Sequence, residues 1–278
     1  MKTPAPITAL ASAALLGLAA ACARGDAPSA PGDRSSANFL SSASGAGEME
    51  RVCSNAGLQG SYGFYRTGTT GAGPFAAVGL VTYDGVGRWS STQTVNRAGF
   101  PPEASTGEYQ VSADCSGKLF VGGQEVARFA LTDRGKQLFT LSVVPGETVR
   151  GVEKKVGLRA CSNATLNGIH GFYRTGTTPA GPLSAVGVAD YDGAGSFEVT
   201  QTISRNGTII HNPPRTDFYE VNADCTGRLI NAATGQDIGR FVVVERGHEN
   251  FLLSLSPGNA VTGVVRKLQR GHDEHDED

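Results

Sequence analysis

The sequence predicts an all-β protein built as two tandem antiparallel up-and-down eight-stranded barrels, with a β-sandwich as the alternative use of the same strands. Three observations carry this reading. Short stretches of alternating apolar and polar residues are punctuated by Gly, Pro, Asn and Asp, and helical periodicity is nearly absent. The stretches occur twice: positions 53–74 and 161–182 agree at 17 of 22 places, and the phrase GFYRTGTT stands at 63–70 and again at 171–178. The repeated unit is about one hundred residues long, the size of a small domain and too long for a solenoid unit.

In the first unit the alternation predicts strands over 58–67, 75–83, 88–96, 108–113, 118–121, 125–132, 137–143 and 148–154. DGVG at 84–87 and its echo DGAG at 192–195 read as tight hairpin turns, where Gly relieves the steric cost of positive φ. Equivalent residues lie 108 apart up to Gln93/Gln201, 110 apart at Cys115/Cys225 and 112 apart from Gln124/Gln236 onward. Both changes fall in turn-rich stretches, where loops absorb insertions. Eight short consecutive strands must also manage their edges, and closing the last onto the first does so. A barrel of this size is either filled by side chains or holds one small ligand.

Alternation also says which side chains share a face. The first strand groups Leu58, Tyr62, Phe64 and Arg66, matched by Leu166, His170, Phe172 and Arg174. The third groups Trp89, Ser91, Gln93 and Val95, matched by Phe197, Val199, Gln201 and Ile203. The fourth offers Tyr109, Val111 and Ala113 against Tyr219, Val221 and Ala223, and the seventh Phe139, Leu141 and Val143 against Phe251, Leu253 and Leu255. All are expected to line the interiors. A buried amide or guanidinium without a partner is costly. Arg66, Gln93 and Tyr109, with Arg174, Gln201 and Tyr219, are therefore candidates to meet the polar end of a ligand whose body lies on Trp89 or Phe197. The competing expectation is that they satisfy backbone groups or pair with Asp84 and Asp192. Phe197 in place of Trp89, and Val243 in place of Leu131, predict that the second barrel is the roomier.

The flanks read as export signals. Residues 1–22 begin with Lys2, continue in an apolar run over 7–21 and end in LGLAAAC, too short and Ala-rich for a membrane span. Cys22 stands where a lipidated cysteine would anchor an exported protein to a membrane, with plain secretion as the alternative. Residues 23–50 are a Ser/Ala/Gly/Pro linker, 51–156 and 157–268 are the two barrel repeats, and 269–278 are an acidic, histidine-containing tail. The tail's five acids account for the net charge of −2, and no basic stripe points to nucleic acid. His272, Asp273, His275 and Asp276 offer at most a weak metal site, so neither a metal nor a cofactor is expected. The remaining cysteines pair by equivalence: Cys53 with Cys115 and Cys161 with Cys225, which implies an oxidising compartment.

The chain contains no GxSxG, HExxH or phosphate-binding glycine loop, and His170, His211 and His248 occur only in the second unit. CSNATLNG followed by GFYRTGTT, YDG, VNADCTG and LSLSPG resembles a group of secreted bacterial proteins with a CSNATLxGxYGF opening, over both repeats from Cys53 to Leu268. Position 57, Gly where the second unit has Thr165, departs from that opening. The resemblance implies a small calycin-like barrel, similar in architecture to that of allene oxide cyclase, and brings no activity with it. The expected function is non-catalytic binding of small apolar or amphipathic molecules. A solidly packed surface interaction protein is the second expectation, and a barrel enzyme of isomerase or cyclase type the third.

Overall fold

The computed structural model describes residues 53–96 and 102–268, so the expected export signal, Cys22, the expected linker and the acidic tail lie outside the described residues. The first barrel runs β1 (Gln59–Thr70), β2 (Gly73–Asp84), β3 (Arg88–Val95), β4 (Pro102–Val111), β5 (Ser116–Val121), β6 (Gln124–Thr132), β7 (Gln137–Ser142) and β8 (Arg150–Lys155). The second runs β9 (Asn167–Thr178), β10 (Gly181–Asp192), β11 (Ser196–Arg205), β12 (Thr208–Val221), β13 (Thr226–Ile230), β14 (Asp237–Val244), β15 (Glu249–Ser254) and β16 (Ala260–Lys267). Each strand pairs with its sequence neighbours, and β8 closes on β1 as β16 closes on β9. Two closed barrels result, and the sandwich alternative is excluded.

The strands differ from expectation most at β4, which starts at Pro102 rather than 108. Pro102 pairs with Thr94 at the end of the β3 ladder, where a missing N–H costs little, so turn-like composition yields to the pairing offered by β3. The predicted turns form as written. Asp84 Oδ1 accepts the N–H groups of Val86, Gly87 and Arg88 at 2.7, 2.8 and 2.9 Å. Asp192 does the same for Ala194, Gly195 and Ser196. These backbone donors hold both carboxyls below their ordinary value, and they leave neither aspartate free to pair with Arg66 or Arg174.

The CSNA openings close one end of each barrel. Cys53–Cys115 and Cys161–Cys225 tie the opening to the turn after β4 or β12. Asn55 then bridges two loops: its Nδ2 donates to Val86 O at 2.9 Å, and Val111 N–H donates to its Oδ1 at 2.8 Å. Asn163 repeats this with Ala194 and Val221. Each disulfide closes a loop with a sequence separation of 62 or 64, worth about 4 kcal/mol in the chain-entropy picture.

Inside the first barrel Leu58, Tyr62, Phe64, Val81, Tyr83, Trp89, Tyr109, Leu119, Phe129 and Leu138 form one core. Gly79 is required there: a Cβ on it would stand 2.7 Å from Phe64 Cζ and 2.2 Å from Thr92 O. The seventh strands correct the facing expectation. Phe139, Leu141 and Val143 point outward and are exposed, while Leu138 and Thr140 face in. Their counterparts Phe251, Leu253 and Leu255 also point outward but are buried, because the first barrel covers them.

That contact joins the barrels. Val242, Val244, Phe251 and Leu253 pack on Ala76, Val78 and Tyr65 of β1 and β2, with the Tyr65 and Phe251 rings edge to face at 5.0 Å. Buried Lys154 reaches across to Glu245 at 2.6 Å and Glu249 at 3.0 Å. Val244 and Val242 fit against Gly63, where a Cβ would meet them at 2.6–2.8 Å; its counterpart Gly171 has no neighbour nearer than 3.5 Å. Gly63→Val is therefore expected to cost about 1–3 kcal/mol through overpacking. Gly171→Val should stay within about 0.5 kcal/mol, as substitutions away from the core do. Urea denaturation of both variants measures the difference.

Candidate functional site

Two internal cups open at the barrel ends opposite the CSNA plugs. In the first barrel the cup has a volume of about 240 Å³ and includes Arg66, Trp89, Gln93, Glu103 and Glu147 in its lining. In the second it reaches about 320 Å³ and includes Arg174, Phe197, Gln201, Arg205 and Arg215. The second barrel is thus the roomier, in keeping with Phe197 at the place of Trp89. A larger groove of about 590 Å³ lies on the outside, between Phe139 and Val152 of one barrel and Tyr173 and Val186 of the other, and is shallow.

The first cup pairs its buried cation with a carboxylate, although Gln93 Oε1 and Glu153 Oε1 are buried without a hydrogen-bond partner. Arg66 extends over the Phe64 ring at 4.5 Å and forms an ion pair with Glu153 at 3.7 Å. The buried Glu153 carboxylate accepts the Tyr83 hydroxyl at 2.8 Å. Burial raises the Glu153 carboxyl above its ordinary value, with Arg66 and Tyr83 opposing that rise. Gln93 Nε2 donates to Glu103 at 3.1 Å, and Trp89 Nε1 to Glu108 O at 3.0 Å. Both expected partners of Arg66, Asp84 and the backbone, are replaced by Glu153.

The second cup is built on the same strands with a different balance. Its apolar wall is Leu183, Phe197, Val199, Ile203, Leu229 and Leu252. Arg174 donates to Gln201 Oε1, and its Nε is buried without a hydrogen-bond partner. Burial, reinforced by Arg215 and Arg205, lowers the Arg174 guanidinium to about 10. No ion pair to Arg174 is present among the described residues, whereas Arg215 is held by Asp217 at 2.8 Å. Tyr191 lies fully inside, stacked on Phe197 at 5.2 Å, and burial pushes its hydroxyl pKa up.

Tyr109 and Tyr219 do not line the cups. Their hydroxyls donate to the backbone carbonyls of Leu58 at 2.9 Å and Leu166 at 3.0 Å, at the plugged ends. They fasten the CSNA turns instead of meeting a ligand. Arg66, Trp89 and Gln93 gather at one mouth and Arg174, Phe197 and Gln201 at the other. Sequence reasoning missed Glu153, Tyr83 and Tyr191, which come from other strands. A weak signal existed in the parity of Glu153, which shares its face of β8 with Gly151.

No protein-family model matches the chain, and no curated protein matches it. Among solved structures it is similar to kievitone hydratase from Nectria haematococca, at 7% identity over 78% of this chain and 94% of that one, with a TM-score of 0.26. It is also similar to BamB from Moraxella catarrhalis (12% identity, 74% and 83% covered, TM-score 0.18). A DUF3598-family protein from Nostoc punctiforme gives 10% identity, 75% and 95% covered, and a TM-score of 0.22. Likenesses this distant carry no functional weight.

His170 replaces Tyr62 and gives the second barrel a pH response. Its Nδ1–H donates to Gly168 O at 2.8 Å, and its Nε2 is buried without a partner. Burial lowers the imidazole below 6.5, with Lys267 and His248 adding to the effect and the Gly168 carbonyl and Asp190 opposing it. The unfolded chain therefore binds the proton more readily than the folded one. This contribution to stability is present above the ordinary value of 6.5 and is lost as pH falls through the depressed one. Melts between pH 7.5 and 5 should show a falling midpoint, and His170→Tyr, which restores the residue of the first barrel, should flatten that part of the fall.

Proposed function

We propose that this is an exported binding protein that carries a small amphipathic molecule in the cup of its second barrel. The supporting observation is the cup itself: a space of about 320 Å³, larger than the cup of the first barrel, with one apolar wall and a mouth that carries Arg174, Arg205 and Arg215. The first barrel, whose buried arginine is answered by Glu153, serves as the buttress that covers Phe251 and Leu253. Two disulfides fit a periplasmic or extracellular setting, and among the described residues no helix is long and apolar enough to cross a membrane. Cys22 is the proposed lipid anchor, with residues 23–50 as the tether.

Two measurements test this. Native mass spectrometry of protein purified from its own host is expected to show one small molecule retained per chain and released on denaturation; no retained mass, and no binding from a small-molecule extract, overturns the proposal. Detergent-phase partitioning is expected for the mature protein and should be abolished by Cys22→Ser; an aqueous wild-type protein removes the anchor and leaves secretion.

A further inference from the structure

The two cups differ at the positions that set their charge, and the first barrel demonstrates what the second lacks. In the first, Arg66 and Tyr83 converge on the carboxylate of Glu153, which pairs in register with Phe64. In the second, Arg174 and Tyr191 hold the places of Arg66 and Tyr83, Phe172 holds that of Phe64, and its register partner on β16 is Val265. The cation and the hydroxyl are kept and the carboxylate is gone. Arg174 Nε is buried with no hydrogen-bond partner among the described residues, and Tyr191 lies beside it in the cup lining.

The change is not confined to one position. Glu103, opposite Gln93, is answered by Asn212 opposite Gln201, and Glu147 by Asn259. All three acids around the first cup are thus neutral in the second. Among the described residues the first mouth sets two arginines, Arg66 and Arg150, against three glutamates. The second sets three arginines against one nearby acid among the described residues, Asp217, which Arg215 already engages. Directly across from Val265, Leu138 of the first barrel is replaced by Asn250, whose buried amide nitrogen also has no partner. A partly buried guanidinium without a counter-charge is costly to keep, and a charge-assisted hydrogen bond to an anion offsets that cost.

We propose that the second cup binds a carboxylate-headed amphipath, with the ligand carboxylate between Arg174 and Tyr191 in the role that Glu153 plays in the first barrel. This rests on the cup being a ligand site. At about 30 Å³ per non-hydrogen atom, the cup volume of about 320 Å³ suits roughly ten such atoms, the size of a medium-chain fatty acid or a small aryl carboxylic acid. The tail lies on Phe197, Val199, Ile203 and Leu229.

Isothermal titration of the oxidised full chain with octanoate, 1-octanol and octylamine separates the possibilities. Octanoate is expected to bind once per chain and at least about ten-fold more tightly than 1-octanol, with octylamine weakest. Val265→Glu, which supplies the carboxylate from the barrel wall, should abolish octanoate binding. Arg174→Gln should reduce it to the level of the alcohol, both variants being checked for intact β-structure by circular dichroism. If 1-octanol binds as well as octanoate, or if folded Arg174→Gln binds octanoate unchanged, the head-group assignment fails while the cup remains a ligand site. If none of the three binds and a panel of aryl carboxylates also fails, the ligand-site reading fails with it.

Discussion

Closure of an eight-stranded antiparallel sheet is the constraint from which the other properties of this protein follow. Each pair of end strands, β1 with β8 and β9 with β16, removes the two open edges that so many short strands would otherwise present. Closure also fixes the lumen at a width that side chains can almost fill. In so narrow a space one inward residue decides whether the interior is solid or hollow. Trp89 against Phe197, and Glu153 against Val265, are decisions of that kind.

Duplication let the two units diverge. The CSNA plug, the aspartate turns and the disulfides are kept in both, because each secures closure. What diverged lies inside the cup and on the outer wall. The outer wall of β14 and β15 carries Val242, Val244, Phe251 and Leu253 where the first unit has Ala130, Thr132, Phe139 and Leu141. Only the second unit's wall is covered by a neighbour, so only it could become fully apolar at no cost in exposed surface. Every residue of β15 is buried, with lumen on one side and the first barrel on the other.

The inner faces of β3 and β11 were legible because each has one largely apolar and one polar side, and period-two alternation reads such strands directly. The seventh strands defeated the same rule. In QLFTLS both parities offer apolar residues, and Phe139 and Leu141 belong to the outer wall while Leu138 faces in. Alternation locates a face but cannot tell a core from an interface. Arg66 was legible as an inward cation needing a partner, yet the partner, Glu153, is 87 positions away and reaches it only when β8 closes on β1. Asp84, the nearer acid, is consumed by its own turn.

By itself the sequence determined the all-β class, the two tandem units, the cysteine pairs and the turns, since these depend on local pattern and on the internal repeat. Only the tertiary structure decided which acids meet which arginines, which apolar wall is covered, and which cup is left with a cation that no side-chain carboxylate among the described residues answers. Those outcomes depend on residues brought together by closure from strands far apart in the chain, and no short-range pattern encodes their distances.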